Sequence, residues 1–228
     1  KFNVLILKEH TFFWMKLSKK ELISIIQNTE SFSNPKIELE QYCIDANSAV
    51  DIIYYAGFEY TDISEALIID LGAGTGRLSI ACTFFNASFV LSVDIDIFAL
   101  EILKRNILSL KLNNTIFPIC ADIEYFELSK RLLPNGLKIT TIMNPPFGVQ
   151  SKFADRLFLK KAFSFSDIVY SIHLANKKTR KFISRYAEKH NWKVDNLLPY
   201  YMVLERAFPF HTQKTKEINV DIYRFIKK

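Results

Sequence analysis

The chain has 228 residues, 49% of them hydrophobic and 24% charged, which excludes a disordered or low-complexity protein and fits one packed α/β domain with a short N-terminal extension. Its formal net charge of +6 suits a polyanionic partner such as RNA, and suits a merely solvated basic surface equally well. Cys43, Cys82 and Cys120 stand singly, which excludes a zinc knuckle or a disulfide framework and points to a reducing, cytoplasmic setting.

The elements follow in chain order. Residues 1–14 hold two apolar clusters split by Lys8-Glu9-His10 and lack a cleavable leader pattern. They read either as an extension ahead of a natural start at Met15 or as a packing segment, and residues 15–228 read as a single domain. Leu17, Leu22, Ile25 and Ile26 predict a helix over 16–29 with Ser18 as its N-cap. Ser33-Asn34-Pro35 breaks it, and a second helix is expected over 46–56. An alternating series follows: strand 66–71, helix 77–85, strand 88–94, helix 97–110, strand 115–120, strand 138–143, helix 153–165, strand 167–172, helix 177–191. Two β-like tracts, 193–206 and 217–226, close the chain. Cys82 and Cys120 lie in apolar runs and are expected to be buried. No apolar stretch reaches the roughly 20 residues that a membrane span needs. The pattern predicts a mostly parallel seven-stranded sheet of Rossmann-like α/β class, ending in an antiparallel hairpin.

Two motifs carry chemistry. The first is Asp70-Leu71-Gly72-Ala73-Gly74-Thr75-Gly76, directly after the first strand. Glycines at 72, 74 and 76 let the backbone turn tightly and approach a ligand, and the following helix presents free N–H groups there. The spacing is G-x-G-x-G rather than the dinucleotide G-x-G-x-x-G, and Asp70 suits a cationic ligand better than a pyrophosphate. This favours S-adenosylmethionine (SAM), with Asp70 facing its ammonium group. Asp94 ends the second strand about 20 residues beyond the glycines, where a carboxylate accepts ribose hydroxyls. Asp96 reads as a helix N-cap. Asp122 follows the third strand, placed to accept from the adenine amine, with Ile123 packing on the ring. A turn or cap role competes for Asp122.

The second motif is Asn144-Pro145-Pro146-Phe147-Gly148, after the fourth strand. Ligands in open α/β sheets bind beyond the strand C-termini. An amine on a planar base is a poor nucleophile, because its lone pair is delocalised. The Asn144 oxygen and the Pro145 carbonyl, stiffened by Pro146, can accept its two hydrogens, and Phe147 can stack on the base. These four residues are the candidate catalytic set. His173, at the end of the fifth strand, is a candidate to line the substrate cleft. Lys177, Lys178, Lys181 and Lys214 are candidate RNA contacts. The histidines and cysteines lack metal-ligand spacing, so no metal is expected.

With Leu39-Glu40-Gln41-Tyr42, Tyr170-Ser171-Ile172-His173 and the tail from Phe210-His211 to Val220-Asp221-Ile222-Tyr223-Arg224-Phe225, these motifs resemble the N6-adenine methyltransferases of small-subunit ribosomal RNA, of the methyltransferase-like protein five type. The resemblance runs from about Met15 to the C-terminus. It implies a class I SAM-dependent methyltransferase in which Gln41 and Tyr42 help to close the cofactor pocket. The family pattern continues with Pro and Thr after Tyr; Cys43 and Ile44 stand here, so a threonine hydroxyl contact to the cofactor is absent. It also implies a small zinc-containing activator that pairs with a sheet edge, and Pro118 in the third strand fits such an edge. Methylation of guanine N2 or of a protein glutamine amide is the rival chemistry, and an RNA-binding scaffold without SAM is the non-enzyme rival.

Overall fold

A computed structural model describes residues 17–148, 154–205 and 215–228. The N-terminal extension and Lys214 lie outside the described residues. Helix α1 spans Lys19–Gln27, and Ser18 caps it as expected. The Ser18 hydroxyl accepts from Glu21 N while the Glu21 carboxylate accepts from Ser18 N, so two orphan donors are satisfied reciprocally. Helix α2 spans Ala46–Tyr54, capped by Asp45. It ends two residues earlier than predicted, because the chain widens into a π-helical turn, Tyr55–Glu59, where Gly57 lies against the Phe85 ring.

The alternating series then runs β1 (Leu67–Leu71), α3 (Arg77–Thr83), β2 (Phe89–Asp94), α4 (Ile97–Ser109), β3 (Ile116–Cys120), β4 (Ile139–Met143), α5 (Ala154–Phe165), β5 (Ile168–Leu174), α6 (Lys177–Lys189), β6 (Trp192–Glu205) and β7 (Thr215–Lys227). The seven strands form one sheet in the order β3-β2-β1-β4-β5-β7-β6. The first five are parallel; β7 runs antiparallel to both β5 and β6. This is the expected Rossmann-like sheet with a terminal antiparallel pair.

Both faces are covered, so central strands read as unbroken apolar runs. Side chains alternate between two cores. Ile68, Ile142, Tyr170 and Ile222 meet the cluster built by α1 to α4. Ile69, Met143, Val169 and Phe225 meet α5 and α6 on the opposite face. Strand β3 is an edge, and Pro118 sits within it. That edge position overturns one expectation: Cys120 is exposed, whereas Cys82 is buried. An edge strand with one covered face leaves its last residue in solvent, whatever the apolarity of its neighbours. Among the described residues, no helix is long and apolar enough to cross a membrane.

Candidate active site

Strands β1 and β4 are hydrogen-bonded neighbours, with Asp70 opposite Ile142. The loops that follow them therefore leave the sheet side by side at its C-terminal edge, where strand order reverses and a crevice opens. Gly72, Gly74 and Gly76 of the first loop have φ of 74°, 54° and 91°. At Gly76, which caps α3, both φ and the close approach of Leu103 demand glycine. The loop is tied to β2 by Gly72 N and Ala73 N, which donate to Val93 O at 2.8 and 3.1 Å.

Asp94 stands at the end of β2. Its carboxylate accepts from Gly74 N at 2.7 Å and from Asp96 N at 2.9 Å. Burial raises its pKa, and these backbone donors oppose the rise. Asp96 caps α4 through Phe98 N, as expected. Asp96 also accepts from Lys36 Nζ and Gln41 Nε2, both at 2.8 Å. Gln41 in turn accepts from Lys36 N at 2.8 Å. Both ends of the Gln41 amide are thus used to fasten the 36–44 segment over the cavity. Asp122 accepts from Glu124 N at 2.8 Å, which is the competing turn role, and it also lines the cavity beside Ile123.

The crevice encloses about 400 Å³, within the roughly 300–1,000 Å³ of small-molecule pockets. The glycine loop, Asp94, Asp122, Tyr42 and the Asn144–Phe147 loop share its wall. Asn144 Oδ1 is buried there and has no hydrogen-bond partner among the described residues. A buried acceptor without a donor costs about 1–3 kcal/mol, and Asn144 lines the cavity, so a turn of its side chain would bring this oxygen to a donor from outside the chain. The other end of the cavity offers carboxylates at two strand ends and a backbone that approaches closely, which fits a nucleoside that carries a ribose and an amino group. A Cβ at Gly72 or Gly74 would press against the Phe158 or Phe32 ring, so the glycines also keep this space open.

Several expected site residues lie elsewhere. Asp70 does not line the cavity. It is buried beneath the loop, bonded to the Ser79 hydroxyl, with its other oxygen unpartnered among the described residues. Burial pushes its pKa up to about 7, against Ser79's hydrogen bonds and helped by the charge on Asp94. A contact with a ligand ammonium is not what its position provides. His173 is 2% exposed, because β5 runs on to Leu174 and pairs His173 with Asp221 of β7. Its Nε2 bonds the Ser171 hydroxyl at 2.7 Å, and burial lowers its pKa to about 3. It is a neutral core histidine, not a cleft or RNA residue. Lys177, Lys178 and Lys181 are exposed on α6, outside the cavity.

The Asp70 proton has a measurable consequence. Between its ordinary value of 3.8 and about 7 the folded chain holds a proton that the unfolded chain releases, so stability falls as pH rises through that window. Asp70→Asn removes this loss. In urea unfolding the variant is expected to gain on the parent by up to about 4 kcal/mol between pH 4 and pH 8. Parallel pH profiles for the two proteins would show that Asp70 is already ionised.

Other lining residues carry no chemical signature in the sequence. Phe32, Phe158 and Leu204 are apolar side chains brought to the cavity by tertiary packing. Ile44 replaces the expected threonine, is buried, and bridges to Leu204 of β6 while its carbonyl accepts from Arg77 Nη1 at 2.7 Å. Glu40 is different, since it stood inside a recognisable motif. Its carboxylate accepts from Phe147 N at 2.7 Å, across 107 residues of sequence.

Comparison with known proteins agrees with this geometry. Residues 61–195 match the TRM5/TYW2 methyltransferase domain. An rRNA N6-adenosine-methyltransferase METTL5 of Danio rerio is 34% identical over 214 residues, covering 92% of this chain and 99% of that protein. The chain belongs to the METTL5-type rRNA N6-adenosine methyltransferase family. It is a class I, SAM-dependent methyltransferase in fold and cofactor. An uncharacterised protein of Methanocaldococcus jannaschii is 36% identical over 217 residues, covering 92% of this chain and 95% of its own. A solved structure of a candidate RNA methyltransferase from Pyrococcus horikoshii superposes with a TM-score of 0.82 at 38% identity, covering 92% of this chain and 98% of that one.

Proposed function

We propose that this protein methylates the N6 amine of an adenine in small-subunit ribosomal RNA, with Asn144, Pro145 and Phe147 holding the base. The observation that carries this reading is that Asn144, whose Oδ1 has no hydrogen-bond partner among the described residues, lines the same cavity as the glycine loop. When bound, SAM supplies an electrophilic methyl group. Gly72, Gly74 and Gly76 would give it backbone access, Asp94 and Asp122 would accept from its hydroxyl and amino groups, and Gln41 and Tyr42 would close the near side. Asn144 Oδ1 accepts one hydrogen of the adenine amine and the Pro145 carbonyl accepts the other. Held so, the nitrogen loses conjugation with the ring and presents its lone pair. Pro146 limits the freedom of the turn, and Phe147 fixes the plane of the base. Positioning and electrostatics supply most of the rate, so no strong base is needed. A target adenine in a folded RNA must leave its stack to reach Asn144. Family membership disfavours guanine N2, a protein amide and a scaffold without activity.

Methyl transfer from labelled SAM to small-subunit ribosomal RNA, followed by nucleoside mass spectrometry, tests the proposal. N6-methyladenosine is the expected product. Methylguanosine, or label found in protein alone, would overturn it.

Strands β1, β4 and β5 end on the same side, so the start of α6 faces the same rim as the catalytic loop. This supports an RNA path over Lys177, Lys178 and Lys181. Neutralising all three is expected to weaken RNA binding and to reduce the slope of log K against log salt by about 2. An unchanged slope would remove this face from the footprint. The exposed edge of β3, with its Pro118 and the Phe89–Phe117 pair at 6.0 Å between ring centroids, supports strand pairing by a small zinc-containing activator. A ribosomal RNA substrate supports a cytoplasmic setting.

A further inference from the structure

The Asn144–Phe147 loop has a particular weakness. Pro145 and Pro146 carry no N–H, so Phe147 N–H is the first backbone donor after Asn144. A loop that must aim a side-chain oxygen and a carbonyl at one amine therefore has few backbone anchors of its own. Phe147 N–H donates to Glu40 Oε2 at 2.7 Å. Glu40 adopts φ 51° and ψ 42°, a left-handed conformation uncommon for a residue with a side chain. The residue after it, Gln41, is fastened to Asp96, and the one after that, Tyr42, lines the cavity. Glu40 thus stands between two parts of the site: the lip over the cofactor end and the loop at the substrate end. Asp155 at the start of α5 has its pKa raised by burial, against backbone hydrogen bonds and the charge of Arg156, with Glu40 adding the smallest contribution.

We infer that Glu40 is a positioning residue, whose carboxylate oxygen holds the catalytic loop in register with the cofactor lip. The inference rests on the catalytic reading of Asn144. Glu40 itself lines the cavity, and the role inferred for it runs through Phe147 N–H and the loop behind it. The hydrogen bond requires an acceptor at the end of a side chain of this length. A glutamine keeps the acceptor and loses the charge. An aspartate keeps the charge and falls short by one methylene.

The test measures kcat and KM for methylation of small-subunit ribosomal RNA, together with SAM affinity by calorimetry, in Glu40→Gln, Glu40→Asp and Glu40→Ala. The expected result is a kcat within about three-fold of the parent for Gln, and a loss of about 10- to 100-fold for Asp and Ala, with SAM affinity held within about three-fold in all three. A parent-like kcat in Glu40→Ala overturns the inference. So does the reverse ranking, with Asp active and Gln inactive, since charge and not the acceptor would then matter. A loss of kcat matched by an equal loss of SAM affinity also overturns it, because Glu40 would then serve the lip alone. The parent and Asn144→Ala are run alongside. An inactive parent or an active Asn144→Ala would instead refute the catalytic reading, whatever the Glu40 variants do.

Discussion

Asn144→Ala is expected to lower kcat for RNA methylation by about 10²- to 10³-fold, comparable to the loss of one preorganised polar group in other active sites. SAM affinity, measured by calorimetry, should be unaffected, because the carboxylates and glycines at the other end of the cavity remain. The same substitution has an unusual expected effect on stability. In most buried sites, removing a polar side chain strands its partner. Here Oδ1 has no partner among the described residues, so the Ala variant removes an unsatisfied acceptor and strands none of the groups described here. Its thermal midpoint should equal or exceed that of the parent. A variant that is both inactive and markedly less stable would assign Asn144 to the scaffold rather than to the chemistry.

Gly76→Ala is expected to be the most damaging single methyl group in the cofactor loop. The residue has φ 91°, where any side chain is strained, and an added Cβ would overlap Leu103 Cδ1 and stand 3.2 Å from its Cγ. Leu103 is fully buried in α4, so it has little room to yield. Strain and overpacking together cost about 2–4 kcal/mol. The repair open to the chain is to lift the start of α3 away from α4, which also moves the loop that approaches the cofactor. Urea unfolding and SAM calorimetry should therefore both register the change. Gly136→Ala provides the comparison: φ is 81°, but nothing lies within 4 Å of its added Cβ. Equal losses in the two variants would mean that backbone strain alone accounts for Gly76.

The order of elements and both loops were legible because they depend on local patterns. Apolar runs bounded by Gly or Pro marked β1 and β4, and Ser18 and Asp96 sit where capping residues must, whereas the Asp45 cap emerged only from the structure. Glycine and Asn-Pro-Pro strings are rare enough in combination to mark a site. What depended on strand neighbours was not legible. His173 looked available because it ended a strand, yet the antiparallel partner β7 extends β5 by two residues and buries it. Cys120 looked buried because its neighbours are apolar, yet β3 is an edge. Asp70 carried the correct residue type in the correct motif, but a strand alternates its side chains, and that position points under the loop toward Ser79. Glu40 was visible as a letter beside Gln41; its partner lies 107 residues away, a distance that periodicity cannot bridge.

The strand order has a consequence for how this site comes into being. Strand β1 pairs on one side with β2, which follows closely in the chain, and on the other with β4, which arrives about 70 residues later. The crevice between the two motif loops does not exist until that second, distant pairing forms. A growing chain can thus complete the cofactor loop, α3 and β2 while half of the cavity wall is still missing. Loop-closure entropy must be met before the pairing returns any stabilisation, which makes this a slow step of a parallel sheet. A ligand that spans both loops binds only the closed arrangement and so draws the folding equilibrium toward it. A bound cofactor of that kind would also brace the sheet, acting at a junction that the chain cannot close until β4 has been made.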